Sequence, residues 1–409
     1  MAPVTDRASH SAWIEVDLAA LTHNAAVLRR ATPSAAQLGI LVKAHGYGHG
    51  REMAARAALA GGADQLIVAT LDEGLGLRAT GIDAPILVVY PVSPDGVPDA
   101  VDAGLELSVG GVDGVAPLLA AWASCREQLP DLALRLHVEV DSGMGRGGVA
   151  PDELVEVVRL LEAEPRTSFA AAWSHLADGR DPGRSRTQAE RFESALADLA
   201  AAGRPLPKRH LIATEGLFAE TAPAYEMVRI GLAFYGELGI DMDPAPAKAE
   251  LAAELRPAMT VKARAVRLEW IGTGASVGYG GEWTSERPSR IATLPIGYAD
   301  GWLRSTWPGG SVLVRGHRAP LVGRVSMDSI CADVTDIESV APDDEFVLLG
   351  TQGAARISPV DLARHRGTIP NEVFCAFGPR LPRVYLDGGA IAATSRQDER
   401  VDRAPASRD

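Results

Sequence analysis

The sequence predicts a (β/α)8 barrel followed by a mainly-β C-terminal domain, on three observations. Short β-branched runs alternate with amphipathic stretches from the start of the chain to about residue 236. Residues of reactive type recur where those runs end, which is where barrels of this class place their chemistry. From about residue 246, after the Pro/Ala-rich stretch DMDPAPAKAE, short strands separated by Gly and Pro turns take over. A length of 409 residues also exceeds what one hydrophobic core usually serves. The expected division is a barrel over residues 12–245, a β-domain over 246–386, and a disordered tail over 387–409, rich in Arg, Asp, Ser and Ala.

The expected barrel strands cover residues 38–43, 65–70, 84–90, 105–110, 132–141, 167–175, 208–214 and 227–233. Between them lie helix-like segments such as LDEGLGLRAT, PDELVEVVRLLEAE and TQAERFESALADLAAAG. The second opens with Pro151 and acidic residues, which suit a helix's first turn. A doubly wound open sheet would use the same alternation. The placement of polar residues favours the barrel. In the second domain the strands are expected within AMTVKARAVRLEWI, SRIATLPIGYA, GSVLVRGHRAPLVGRVS, SICADVTDI and DEFVLLG.

Composition excludes several function classes. The net charge is -13 with both signs interspersed, which argues against a nucleic-acid or anionic-membrane partner. Cys125, Cys331 and Cys375 lie far apart, with no zinc or redox spacing, and read as reduced thiols; no metal site is expected. The first residues, MAPVTDRASHS, lack an apolar signal core, and no stretch is apolar enough to span a bilayer, so a soluble cytoplasmic protein is expected.

The chain has four lysines, and Lys43 ends the run LGILV and opens KAHGYGHG. A strand that delivers a lone amine into a glycine-rich turn suits a Schiff-base site, because a partly desolvated lysine loses proton affinity and becomes nucleophilic. Alone, such a lysine reads equally as one that snorkels at a strand end. Arg146 follows the fifth strand in DSGMGRGG, His175 ends the sixth in WSH, and Arg229 lies in the eighth in MVRIG. Each has a bland explanation as a core histidine or a surface ion-pair partner; four on one rim point to a pocket.

With these motifs in order, the chain resembles the alanine racemases, pyridoxal-phosphate enzymes with a barrel and a C-terminal β-domain. The resemblance runs through WIEVDLAALTHN, VKAHGYGHG, DSGMGRGG, WSH, MVRIGLAFYG, VGYGGEW, LPIGYADG, VGRVSMD and PRLPRVY. It implies interconversion of L- and D-alanine with pyridoxal 5'-phosphate by a homodimer with composite sites. Lys43 would carry the cofactor and act as one acid/base, and Tyr279, in VGYGG, would reach in from a second subunit as the other. A racemase needs two such groups on opposite faces of the substrate Cα. His175 would stand beside the tyrosine and bridge to Arg229, whose guanidinium would face the cofactor's pyridine nitrogen. A group that stays protonated leaves that nitrogen unprotonated and makes a weaker electron sink, favouring racemisation over amino transfer.

The same resemblance implies that Arg146 binds the cofactor's phenolic oxygen and the substrate carboxylate. Met327 and Asp328, in SMD, would contribute on the carboxylate side, and Tyr298, in IGYADG, would narrow the entrance. The phosphate would be held by Tyr47, by backbone amides near Gly231 and Leu232, and by the loop after strand seven. The chain departs from the family at two of these places. Glu139 stands where many members carry a carbamylated lysine that holds the arginine, and a glutamate supplies its own carboxylate. The loop after strand seven carries Thr214 and Glu215 where an asparagine-serine pair is usual. Either Glu215 points away and Thr214 offers a hydroxyl, or the cofactor's seat is altered. The segment GRDPGRSR after His175 also departs from the usual acidic pattern. The alternatives are a racemase of another small amino acid such as serine, or a non-catalytic homologue that binds the cofactor.

Overall fold

The computed structural model describes residues 10–395. Two compact units divide them: residues 20–256, and the segments 10–19 and 257–395. The first strand, β1 (Ala12–Asp17), belongs to the second of these.

Residues 20–256 hold a closed barrel of eight parallel strands: β2 (Gln37–Leu41), β3 (Gln65–Val68), β4 (Ile86–Val88), β5 (Glu106–Val109), β6 (Leu134–Glu139), β7 (Thr167–Trp173), β8 (Lys208–His210) and β9 (Met227–Ile230). All eight fall inside the spans expected from the sequence except at the first residue of β2. Closure is between β2 and β9, with Gln37 opposite Met227 and Ile40 opposite Ile230. Strands β3, β5 and β9 are buried along their whole length, as strands must be when helices cover one face and the barrel interior the other. The helix Leu154–Ala163 buries Leu154, Val157, Val158 and Leu161, the i, i+3, i+4, i+7 set of one face. The helix Pro182–Ala201 starts five residues before the apolar period shows it, because the Asp181 carboxylate accepts from the backbone N–H groups of Gly183 and Arg184 at 2.9 and 3.0 Å.

The β-rich unit contains β10 (Met259–Arg264), β11 (Arg267–Ile271), β12 (Ser276–Val277), β13 (Trp283–Thr284), β14 (Ser289–Leu294), β15 (Ser311–Val314), β16 (His317–Pro320), β17 (Ile330–Asp333), β18 (Glu345–Gln352), β19 (Ala355–Ile357), β20 (Arg383–Asp387) and β21 (Ala390–Ser395). Its largest sheet runs β16-β15-β18-β10-β1-β20-β21, with β19 on β18. Smaller sheets join β11-β14-β17 and β12-β13.

Two segments differ from expectation. Residues 12–17, expected with the barrel, pair instead with β10 (antiparallel) and β20 (parallel). Local pattern shows that WIEV is a buried strand but not that its partners lie some 250 and 370 residues onward. Residues 390–395, expected in the disordered tail, form β21 against β20. The turn between them uses Gly388 and Gly389 at φ 57° and 86°, the positive values a tight hairpin needs. The rest of the expected tail, 396–409, lies outside the described residues.

One buried side chain ties the end of the barrel unit to its start. Asn24 donates to the carbonyls of Phe234 and Arg256 at 3.0 and 2.8 Å and accepts from the Arg256 N–H at 2.8 Å. Asn24→Leu leaves those groups unsatisfied and is expected to lower unfolding free energy by about 2–4 kcal/mol. Denaturant unfolding followed by tryptophan fluorescence checks this; a loss under about 0.5 kcal/mol would place it among neutral surface changes.

Candidate active site

Strand β2 is held tightly as far as the residue before Lys43. The Tyr235 hydroxyl donates to Leu41 O at 2.9 Å, and Val42 N donates to Ile67 O at 2.9 Å. Lys43 then opens a run in the left-handed region: Ala44, His45, Gly46, Tyr47 and Gly48 have φ of 50°, 54°, 63°, 49° and 77°. Such a conformation costs a non-glycine residue roughly 1–2 kcal/mol. Backbone bonds hold it, with Gly46 N donating to Val42 O and Gly48 N to Ala44 O at 2.9 and 3.0 Å. The Glu73 carboxylate adds a clamp from the next barrel unit, accepting from Ala44 N at 2.7 Å and Ala69 N at 2.9 Å. The turn sends Tyr47 back over the barrel, where its ring lies 4.9 Å from that of Tyr235. A Cβ on Gly231 would sit 2.7 Å from the Tyr47 hydroxyl, so only glycine leaves that cradle open.

Arg229, on β9, is buried in the barrel interior. Its Nη1 donates to His210 Nδ1 at 2.8 Å, and its Nη2 is shared among Ser174 O at 2.7 Å, Leu211 O at 3.1 Å and His175 Nδ1 at 3.1 Å. The guanidinium also lies over the Trp173 ring, 4.9 Å from its centroid. Burial pushes its pKa down to about 9, Glu139 opposing and Arg146 adding to the shift, so it stays cationic at neutral pH. His175 is pushed down to about 3 by burial and by the charges of Arg229, Arg146 and Lys43. It is therefore neutral, and because Nδ1 accepts from Arg229, its proton resides on Nε2. Of the four residues expected on the rim, Arg229 and His175 are in direct contact, and the charges of Arg146 and Lys43 are felt at His175.

Arg146 stands exposed at the end of the loop after β6. The loop is built on Asp141, whose Oδ1 accepts from the N–H groups of Gly143, Met144 and Gly145 at 2.9, 3.0 and 3.0 Å. Although burial works against it, those three bonds hold the Asp141 carboxyl below the usual carboxylate range. Glu139, the last residue of β6, packs its Oε2 where a Cβ on Gly110 or Gly147 would come within 3.4 or 3.5 Å. Burial raises its pKa, while Arg146 and Arg229 draw it down. Among the described residues no ion pair within 4.0 Å joins Glu139 to Arg146; the coupling is through space.

The loop after β8 carries Thr214 and Glu215 on different sides. Thr214 is buried, and its hydroxyl accepts from Ala233 N at 3.4 Å, beside Gly231 and Leu232. Glu215 turns outward, with Oε1 3.8 Å from Arg180 Nε. Arg180 belongs to GRDPGRSR and pairs first with Asp178, its Nε donating to Asp178 Oδ1 at 3.1 Å, so Glu215 meets it as a second, longer contact. Sequence reading noticed each but not their pairing, since they lie 35 residues apart on successive barrel loops.

In the β-rich unit, Tyr279 sits at the tip of the β12–β13 hairpin and is 71% exposed. Gly278 lets this hairpin lie against the VGRVSMD loop: it has φ 78°, and a Cβ there would be 3.1 Å from Arg324 N. Tyr298 N and Ala299 N donate to Ser326 O and Met327 O, each at 3.0 Å, so IGYADG and SMD are joined. Arg380 completes the corner, its Nη1 donating to Asp328 Oδ1 at 2.8 Å and its Nε lying 3.2 Å from Asp300 Oδ1. Met327 and Tyr298 are 52% and 38% exposed.

Residues 16–239 match the alanine racemase N-terminal domain, and residues 258–385 the alanine racemase C-terminal domain. The chain belongs to the alanine racemase family. It is 40% identical to an alanine racemase of Symbiobacterium thermophilum over 388 residues, 93% of this chain and 98% of that one. It is 36% identical to one of Nostoc sp. over 379 residues, 92% and 96% of the two chains. Among solved structures it is similar to the alanine racemase of Bacillus anthracis with bound L-Ala-P, with a TM-score of 0.85 at 30% identity, covering 97% of this chain and 99% of that one. The alanine racemase of D-cycloserine-producing Streptomyces lavendulae gives a TM-score of 0.82 at 32% identity, covering 92% and 97%.

Glu73 and His210 were not singled out from the sequence. Glu73 looked like an ordinary first-turn acid of a helix, and His210 like one more residue of a short strand. Arg180→Ala is expected to weaken pyridoxal 5'-phosphate binding by about 5- to 10-fold, because Glu215 loses its countercharge near the anion's seat. Adding Glu215→Ala should restore most of the affinity. Fluorescence titration of the cofactor-free protein reads this; no recovery in the double variant would show that Arg180 acts independently of Glu215.

Proposed function

We propose that this chain interconverts L- and D-alanine with Lys43 and Tyr279 as the two acid/base groups on opposite faces of the substrate Cα. The observation that carries the reading is the 3.1 Å contact of the buried Arg229 with His175 in a closed barrel whose strand-end loops also carry Lys43 after β2 and Arg146 after β6. The residues also fit pyridoxal 5'-phosphate. A lysine at the rim suits covalent attachment, and Arg229 offers a buried cationic donor. The cradle kept open by Gly231 beside the Tyr47 hydroxyl suits a phosphate, with Thr214 and the backbone near Leu232 close by. When bound, that cofactor withdraws electrons from the substrate Cα and lowers the cost of removing its proton.

The chain's own groups then divide the remaining tasks. Lys43 takes or returns the Cα proton on one face, and the Tyr279 hydroxyl on the other. A phenol titrates near pH 10 in water, so it needs help at neutral pH. His175 supports that role: with Nδ1 committed to Arg229, its Nε2–H is the ring's remaining donor, and a hydrogen bond to the phenolic oxygen stabilises the deprotonated form. Arg146 pairs with the substrate carboxylate, and Glu139 supplies negative charge behind it. Tyr298, Met327 and Asp328 form the substrate side of the β-rich unit, and the bulk of Tyr298 narrows the entrance, which suits a small side chain such as that of alanine.

Tyr279, Tyr298 and Met327 are large side chains left exposed on the protomer. A homodimer in which one copy's β-rich unit meets the barrel of the other accounts for that exposure. Among the described residues no helix is long and apolar enough to cross a membrane. A cytoplasmic enzyme that provides D-alanine for a bacterial cell wall agrees with this.

Tyr279→Phe separates the two bases. Racemisation should fall by about 10²- to 10⁴-fold, while exchange of the Cα proton with deuterium persists for the enantiomer served by Lys43. NMR of each alanine enantiomer in heavy water measures it; equal, small losses for both enantiomers would remove Tyr279 from the pair.

A further inference from the structure

The Arg229 contact with His210 is the upper end of a longer chain of buried polar groups. His210 Nε2 lies 2.9 Å from His137 Nδ1, and His137 Nε2 lies 2.9 Å from Glu106 Oε2. Glu106 receives further donors from Gln65 Nε2 at 2.7 Å and from Arg135 Nη2 at 2.5 Å. Gln65 and Glu106 are the first residues of β3 and β5, and Arg135 is the second of β6. The chain therefore runs through the barrel from the mouth opposite Lys43. A cavity of about 290 Å³ opens at that mouth, lined by Gln37, Gln65, Glu106, Arg135, His137 and His210 among others. Lys43, Arg146 and His175 are not among its lining residues.

We infer that Glu106 is a positioning residue for Arg229, acting from the far mouth of the barrel by fixing the direction of the histidine chain between them. The inference rests on the racemase reading of Arg229. A guanidinium only donates, so His210 Nδ1 must hold a lone pair and His210 Nε2 a proton. His137 Nδ1 must then accept, and His137 Nε2 must carry the proton that meets Glu106. The direction is consistent only if the far end is an acceptor that never donates. A carboxylate is such a group, and although burial works against it, the donors from His137, Arg135 and Gln65 hold Glu106 below the usual carboxylate range. His210 is held neutral by burial and by Arg229. The Trp173 ring stacks on His210 at 5.8 Å and 2° and is itself fixed by donation to the Ser108 hydroxyl at 2.8 Å, so the imidazole stays in plane with the chain.

A glutamine at 106 would not preserve this order. Arg135 would draw its carbonyl oxygen and turn its amide N–H groups toward His137. His137 would then accept at Nε2 and donate from Nδ1, and His210 would meet Arg229 with two donors face to face. One bond of the chain must break, and the guanidinium loses a fixed neighbour.

The test is nitrogen NMR of imidazole-labelled, cofactor-loaded full-length enzyme, with alanine kinetics alongside. In the wild type, His137 and His210 should both carry their proton on Nε2, the order that the bonds from Arg229 to Glu106 require. In Glu106→Gln at least one should move its proton to Nδ1, with kcat down about tenfold and KM for alanine changed less than about twofold. Wild-type histidines that are charged, or protonated on Nδ1, would overturn the inference without any variant. So would a Glu106→Gln enzyme with unchanged tautomers and unchanged kcat, even if less heat-stable. The tautomers are read without turnover, so a failure of the racemase reading would appear separately, as absence of alanine turnover in an enzyme whose histidine chain is ordered as described.

Discussion

A cation buried inside a closed barrel is the constraint on which the rest of the site depends. Removing a guanidinium from water is expensive unless its donors are satisfied, and no carboxylate contacts Arg229 directly among the described residues. Its acceptors are two backbone carbonyls and two histidines held neutral by burial and by Arg229 itself. Both imidazoles are thereby committed: each presents Nδ1 to the arginine and a proton on the opposite nitrogen. At His210 that proton starts the chain toward Glu106. A single arginine thus sets the protonation pattern of the barrel interior at both ends.

The lysine turn shows the opposite economy. Three non-glycine residues are held at positive φ immediately after Lys43, stored strain that the neighbouring structure has to overcome. The Glu73 clamp and the Tyr235 hydroxyl bond do so from two other parts of the barrel. The gain is geometric: the left-handed turn returns Tyr47 to the Gly231 cradle within four residues of the lysine. The loop after β8 is tied outward as well, Glu215 reaching Arg180 at 3.8 Å while Arg180 pairs with Asp178.

Much of this was legible in the sequence, because barrel strands are continuous apolar runs and their ends carry the chemistry. Lys43, Arg146, His175 and Arg229 were visible as polar residues at those ends. What stayed hidden depends on neighbours distant in the chain. His137 and His210 are 73 residues apart and meet only because β6 and β8 flank β7 around one interior. Glu106 and Gln65 start their strands, where a charged residue ordinarily means solvent. The placement of β1 in the β-rich unit, and of β21 as a hairpin on β20, likewise rests on pairing across long separations or on a two-glycine turn inside a polar tail. The Arg180–Glu215 pair bridges consecutive loops whose geometry no local pattern encodes.

The fixed positive charge proposed for Arg229 would favour proton exchange without amino transfer. The most direct measurement follows wild-type enzyme with pyridoxal 5'-phosphate and pure L-alanine in heavy water by proton NMR and chiral separation. The account predicts Cα-deuterated L- and D-alanine approaching equal amounts, with no accumulation of pyruvate. Pyruvate rising with conversion, or a Cα proton that never exchanges, would contradict it.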